Sequence, residues 1–108
     1  MIIAVDFDGT IVDHEFPKIG KEKPGAIRVL NRLKEKGHKI VIWTCRESYS
    51  INEMLKWLNE NGFQPDAINE NIDKNMQFAK KKVYADLYID DRSFPAFTSW
   101  EDLEKELL

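Results

Sequence analysis

A chain of 108 residues, 43% of them hydrophobic, carries enough apolar mass for one modest core and too many aromatic residues for disorder. Its formal charge of −3 argues against general nucleic-acid binding, and no apolar run approaches the roughly 18 residues of a membrane span. The N-terminus lacks a secretory signal, and the lone cysteine, Cys45, excludes an internal disulfide and suits a reducing cytoplasm. The expectation is one cytoplasmic domain over residues 1–108, without repeats or linkers.

The first element is Ile2 to Val5, an apolar run that reads as a strand buried on both faces, as in parallel sheets. It runs into Asp6-Phe7-Asp8-Gly9-Thr10. Residues two apart on extended chain share a side, so Asp6 and Asp8 converge while Phe7 turns away. Such strand-end carboxylates lie where open α/β sheets bind ligands. Ile11 to Lys23 is polar and aperiodic, a loop or small hairpin flap beside the acidic pair, with His14 read as a surface residue.

Pro24 suits the first turn of a helix running to about Lys36, with Ile27, Leu30 and Leu33 inward and Gly37 as its stop. His38 to Trp43 is a second buried strand. A right-handed parallel crossover brings its end, Thr44-Cys45-Arg46, to the edge that holds Asp6. Arg46 reads either as a bidentate anion contact or as a surface salt bridge, and Cys45 as a small packed group. Ser50 to Glu53 has capping-box spacing for a helix with Ile51, Met54, Leu55 and Leu58 on one face and Trp57 at its margin. A short third strand lies within Phe63 to Asn69, and Asp73 caps a helix containing Met76 and Ala79, followed by the basic run Lys80 to Lys82. Val83 to Ile89 is the fourth strand and ends in Asp90-Asp91-Arg92. Ser99 caps a last helix that presents Trp100, Leu103 and Leu107.

The stretch from Asp6 to Thr10 resembles motif I of the haloacid dehalogenase superfamily, the threonine-ended second strand its motif II, and Asp90-Asp91 its motif IV. The order matches and spans nearly the whole chain. The resemblance implies a three-layer α/β sandwich on a mainly parallel, Rossmann-like sheet. It makes Asp6 the nucleophile, Asp8 the general acid and base, and Thr44 a phosphate-binding hydroxyl. It further implies a Mg²⁺ held by Asp6, the Asp8 main-chain carbonyl and Asp90, with Asp91 bound directly or through water. Four carboxylates at one edge themselves demand a cation. For the motif III base, Lys74 stands where the broader superfamily puts its lysine, but Lys82 is preferred, because its surroundings match small relatives more closely. Were the fourth strand fully extended, Lys82 would stand about 26 Å from Asp90, so that choice requires residues 82 to 85 to fold back.

The loop from Thr10 to Pro24 leaves no room for a cap domain, so the chain resembles a capless member. A halide leaving group needs no proton, so an acid at Asp8 favours phosphate esters. The expected activity is Mg²⁺-dependent hydrolysis of a phosphorylated small molecule or macromolecule through an aspartyl-phosphate, with an open site that a homo-oligomer would shield. The alternatives are a receiver-like or degenerate phospho-binding module without turnover. The receiver reading needs an aspartate ending the third strand, where Ile68-Asn69 stands.

Overall fold

A computed structural model describes residues 1–77 and 82–108. Its sheet has four parallel strands, β1 (Ile2–Val5), β2 (Lys39–Ile42), β3 (Ala67–Ile68) and β4 (Leu87–Ile89), in the order β3-β2-β1-β4. Val5 is level with Ile42 on one side and Ile89 on the other. The ladder runs one residue further, Asp6 N–H donating to Ile89 O at 3.0 Å and Trp43 N–H to Val5 O at 2.9 Å. This register delivers the residues after β1, β2 and β4 to a single edge.

Among the described residues there are three α-helices: α1 (Ala26–Glu35), α2 (Ser48–Glu60) and α3 (Trp100–Leu107). The chain steps the same way across the sheet from β1 to β2 and from β2 to β3, so right-handed crossovers place α1 and α2 on one face. From β3 to β4 it steps back, so the same rule expects that connection to cross the other face. Burial follows this division. Ile3, Val5, Phe7, Ile40, Ile42 and Ile89 pack with Leu30 and Leu33 of α1, Met54 and Leu58 of α2 and Trp100 of α3 in one cluster. Ala4 and Val41, which alternate with them, are buried outside that cluster.

Local details depart from the sequence expectations in instructive ways. Pro24 does not enter α1; Gly25 intervenes in a left-handed conformation (φ 81°) as its N-cap. Ser50 is not the N-cap of α2 but lies a turn inside it, its Oγ accepting Glu47 N–H at 3.0 Å. Met54 and Leu58 are buried, whereas Leu55 is exposed and Trp57 packs edge-on against Phe7 at 5.7 Å. Asp73 does cap, accepting Asn75 N–H, but opens only a 3-10 turn, Lys74–Met76; Ala79, Lys80 and Lys81 lie outside the described residues. The fourth strand contributes three ladder residues, not seven. Loop segments escape such expectations because hydrogen bonds outside the local sequence decide where they end.

Trp100 joins core and site. It is 1% exposed, and its indole N–H donates to Thr10 O at 2.8 Å. Trp100→Phe keeps an aromatic ring but orphans that buried carbonyl, which costs about 1–3 kcal/mol. Urea unfolding should show a loss of that size, larger than for Trp57→Phe on the half-buried margin of α2.

Candidate active site

The edge fed by β1, β2 and β4 carries a cavity of about 280 Å³. Asp6, Asp8, Thr44 and Asp90, four of the expected site residues, line it together with Cys45, Arg46 and Arg92, and the flap contributes His14 and Phe16. Asp91 lies just behind, where Asp6, Asp90 and Asp91 bring one carboxylate oxygen each within 4.8 Å of the others. The four aspartates marked by the two acidic pairs therefore converge.

The carboxylates are held by Thr10, whose role the sequence did not disclose, and by Gly9, where the turn after Asp-x-Asp leaves no space for a Cβ. Thr10 is fully buried, its hydroxyl 3.1 Å from Asp91 Oδ1 and 3.3 Å from Asp6 Oδ2, and it accepts Asp91 N–H at 3.0 Å. It thereby ties the end of β1 to the end of β4. Gly9 (φ 91°) lies directly under Asp91: a Cβ there would stand 2.7 Å from Asp91 Oδ2 and 2.9 Å from its Cγ. A glycine after Asp-x-Asp is thus required both for backbone conformation and for room beneath a carboxylate. Its place in the motif was the available signal.

Crowding has an electrostatic consequence. Burial, then the charge of Asp90, then the hydrogen bond and charge of Asp91, push Asp6 up from 3.8 to about 7, against a smaller lowering by the Phe7 backbone. Three hard oxygen donors that repel one another are a fitting donor set for a small divalent cation such as Mg²⁺.

Asp8 is arranged differently. Both its oxygens accept from Arg46, Nε–Oδ2 at 2.8 Å and Nη2–Oδ1 at 2.7 Å. Arg46 thus forms a salt bridge, one of the two expectations for it, but a buried one: its partner is Asp8 and it is only 1% exposed. Cys45, expected to pack, has an exposed thiol on the cavity wall. Thr44 Oγ1 accepts Arg46 N–H at 3.1 Å, a turn-capping role compatible with donating its proton into the cavity. Asn69, in a left-handed conformation (φ 52°), clasps the Thr44 backbone with both ends of its amide, at 2.8 and 3.0 Å.

The two lysines stand apart from this wall. Lys74 is exposed on the 3-10 turn. Lys82 is exposed too, but the condition set for it is met: β4 is short and the Tyr88 hydroxyl donates to Val83 O, so the chain folds back beside the strand. Lys82 Nζ rests 5.3 Å from the Tyr88 ring centroid, and that ring packs on Trp43, the neighbour of Thr44. Neither lysine is among the described residues lining the cavity.

The flap forms as expected. Val12 and Glu22 form an antiparallel bridge, Asp13 N–H donates to Lys21 O at 2.8 Å, and Lys23 N–H donates to Ile11 O at 2.8 Å. Gly20 permits it, since a Cβ would meet Asp13 O at 2.2 Å.

The sequence matches the family model of haloacid dehalogenase-like hydrolases over residues 3–102. The fold is similar to the solved structure of a conserved protein from Bacteroides thetaiotaomicron, with a TM-score of 0.90 and 36% sequence identity, covering 99% of this chain and 88% of that one. No curated protein matches.

Two outcomes follow from the site's geometry. A folded-state pKa of about 7 against 3.8 means that Asp6 opposes folding of metal-free protein increasingly as pH rises between those values, because the unfolded chain releases its proton first. In chelator, Asp6→Asn should therefore raise the melting temperature at about pH 8 and leave it nearly unchanged at about pH 4; equal effects at both would contradict the crowding. Gly9→Ala should cost about 1–3 kcal/mol from φ alone and weaken Mg²⁺ binding in calorimetry by displacing Asp91, whereas Gly62→Ala, where no atom lies within 4 Å of the added Cβ, should leave that binding unchanged.

Proposed function

The chain belongs to the haloacid dehalogenase-like hydrolases, and from that premise we propose that it is a Mg²⁺-dependent phosphohydrolase acting through an aspartyl-phosphate on Asp6. The observation that carries the reading is the pairing of Asp6, packed with Asp90 and Asp91 into one three-carboxylate cluster, with Asp8 two residues on, at the mouth of the same cavity. The cluster concentrates negative charge where an anionic substrate would have to bind. Asp6, Asp90 and the Asp8 main-chain carbonyl, with Asp91 directly or through water, would hold Mg²⁺, which would supply the charge neutralisation that lets a phosphate approach a carboxylate.

Asp6 attacks phosphorus, and the ester bond to the leaving group breaks as the aspartyl-phosphate forms. Asp8 donates the proton that the leaving oxygen needs and then takes one from the water that attacks the aspartyl-phosphate, returning Asp6 as a carboxylate. A carboxylate offers about four lone-pair sites; Arg46 occupies two on Asp8, so the others serve this proton traffic. Thr44 orients the phosphoryl oxygens with its hydroxyl. Lys82 is favoured over Lys74 as the balancing cation, because its ammonium rests over Tyr88 of β4, whose ring packs on Trp43 after β2.

The open mouth suits a phosphorylated macromolecule, or a small ester once a second copy of the chain shields the strand ends. The exposed thiol of Cys45 supports a reducing, cytoplasmic setting. No helix among the described residues is long and apolar enough to cross a membrane.

A panel of phosphate esters and phosphopeptides assayed with Mg²⁺ tests the reading. Activity should vanish in EDTA, return with Mg²⁺, and be absent from Asp6→Asn, while Asp8→Asn should lose about 10²–10⁴-fold. Lys82→Ala should lose most turnover and Lys74→Ala little. Undiminished turnover by Asp6→Asn, or after rigorous chelation, would refute the covalent or the metal assignment respectively.

A further inference from the structure

We infer that Arg46 is a positioning residue that pins the flap to the Asp8 carboxylate, so that the acid/base group and the cavity wall formed by His14 and Phe16 are set as one unit; the inference rests on the hydrolytic role proposed for Asp8. Arginine has five N–H donors in a rigid fork and no acceptor. Arg46 spends two on Asp8, at 2.8 and 2.7 Å, and then reaches the flap backbone, Nη1 to Pro17 O at 3.3 Å and Nη2 to Lys18 O at 3.0 Å. Its guanidinium carbon stands 5.4 Å from the Phe7 ring centroid and 5.0 Å from that of Phe16. The ion thus stands against one ring of the core and one ring of the cavity wall. The main chain of Arg46 is itself anchored through Thr44 Oγ1 at the end of β2.

This geometry leaves Arg46 little to offer a substrate. Nearly all of its donors are committed within the protein, and it is 1% exposed. What it does instead is fix the plane of the Asp8 carboxylate and the height of the flap together. Lysine cannot substitute: its ammonium lacks the fork that engages two carboxylate oxygens and two carbonyls at once.

Full-length Arg46→Lys and Arg46→Gly decide the matter by two readouts. The first is trypsin cleavage at Lys18–Ile19, the bond whose carbonyl Arg46 holds. The Lys18 side chain is exposed, so protection of the bond comes from its held backbone and from Ile19, packed against the core. Either variant should be cut there about tenfold faster than wild type or more, and methylguanidinium should slow cleavage of Arg46→Gly by refilling the site between Phe7 and Phe16. The second readout compares phenyl phosphate, whose leaving group needs a proton, with 4-nitrophenyl phosphate, whose leaving anion is stable. A displaced acid should cost kcat on the first about tenfold more than on the second, with KM nearly unchanged, whereas a merely structural role lowers both alike. Unchanged flap cleavage, or equal losses on the two esters, would overturn the inference. Should wild type hydrolyse neither ester nor any member of the panel above, the phosphohydrolase reading fails, and the trypsin comparison still decides whether Arg46 pins the flap. If Arg46→Gly does not fold, Arg46→Lys carries both readouts.

Discussion

Three carboxylates with oxygens inside 4.8 Å of one another are the constraint around which this protein is built. Nothing in a folded chain favours that arrangement by itself: it concentrates like charge in partly buried space, and Asp6 answers by holding its proton to about pH 7. It persists because the parallel register of β1 and β4, with Val5 level with Ile89, leaves Asp6 and Asp90 nowhere else to go. The sheet contributes the stability, and the site expends some of it, the usual relation between scaffold and active edge.

The surrounding residues contain the consequences. Thr10 ties Asp6 and Asp91 with one buried hydroxyl, and Trp100 secures Thr10 from beneath through its main-chain carbonyl. Arg46 neutralises the fourth carboxylate, Asp8, and thereby separates the two acidic groups by environment, one crowded by anions and the other paired with a cation. A cation bound at the crowded cluster would relieve the repulsion there and restore to Asp6 the ionised form that a nucleophile needs. The loop that a cap domain would occupy is instead a short flap, and its attachment to Arg46 gives a small fold a wall over its site.

Much of this was legible in the residues. An apolar strand ending in Asp-x-Asp-Gly-Thr, a second ending in threonine and another ending in Asp-Asp determine where carboxylates and hydroxyl emerge, because period-two alternation and the crossover rule leave few other solutions. The helix faces followed from apolar periodicity, apart from Leu55, which yields its place to the larger Trp57. Less was legible in the segment between β3 and β4. Its path is set by the amide of Asn69 clasping Thr44 and by the Tyr88 hydroxyl on Val83, contacts between residues far apart in pattern, so neither the length of β4 nor the position of Lys82 could be read from local preference.

The sequence by itself determined the chemistry available: which strand ends carry acids, which carries threonine, and that a glycine must follow the first pair. It did so because those properties depend on residue type and short-range spacing alone. Only the tertiary structure decided how the charges are shared. Arg46 is five residues beyond the middle of a buried strand, and nothing local distinguishes a surface cation there from a buried one. Whether its fork meets solvent, a substrate or Asp8 depends on a flap and a strand end that converge on it from elsewhere in the chain, and that convergence exists only once the sheet has closed.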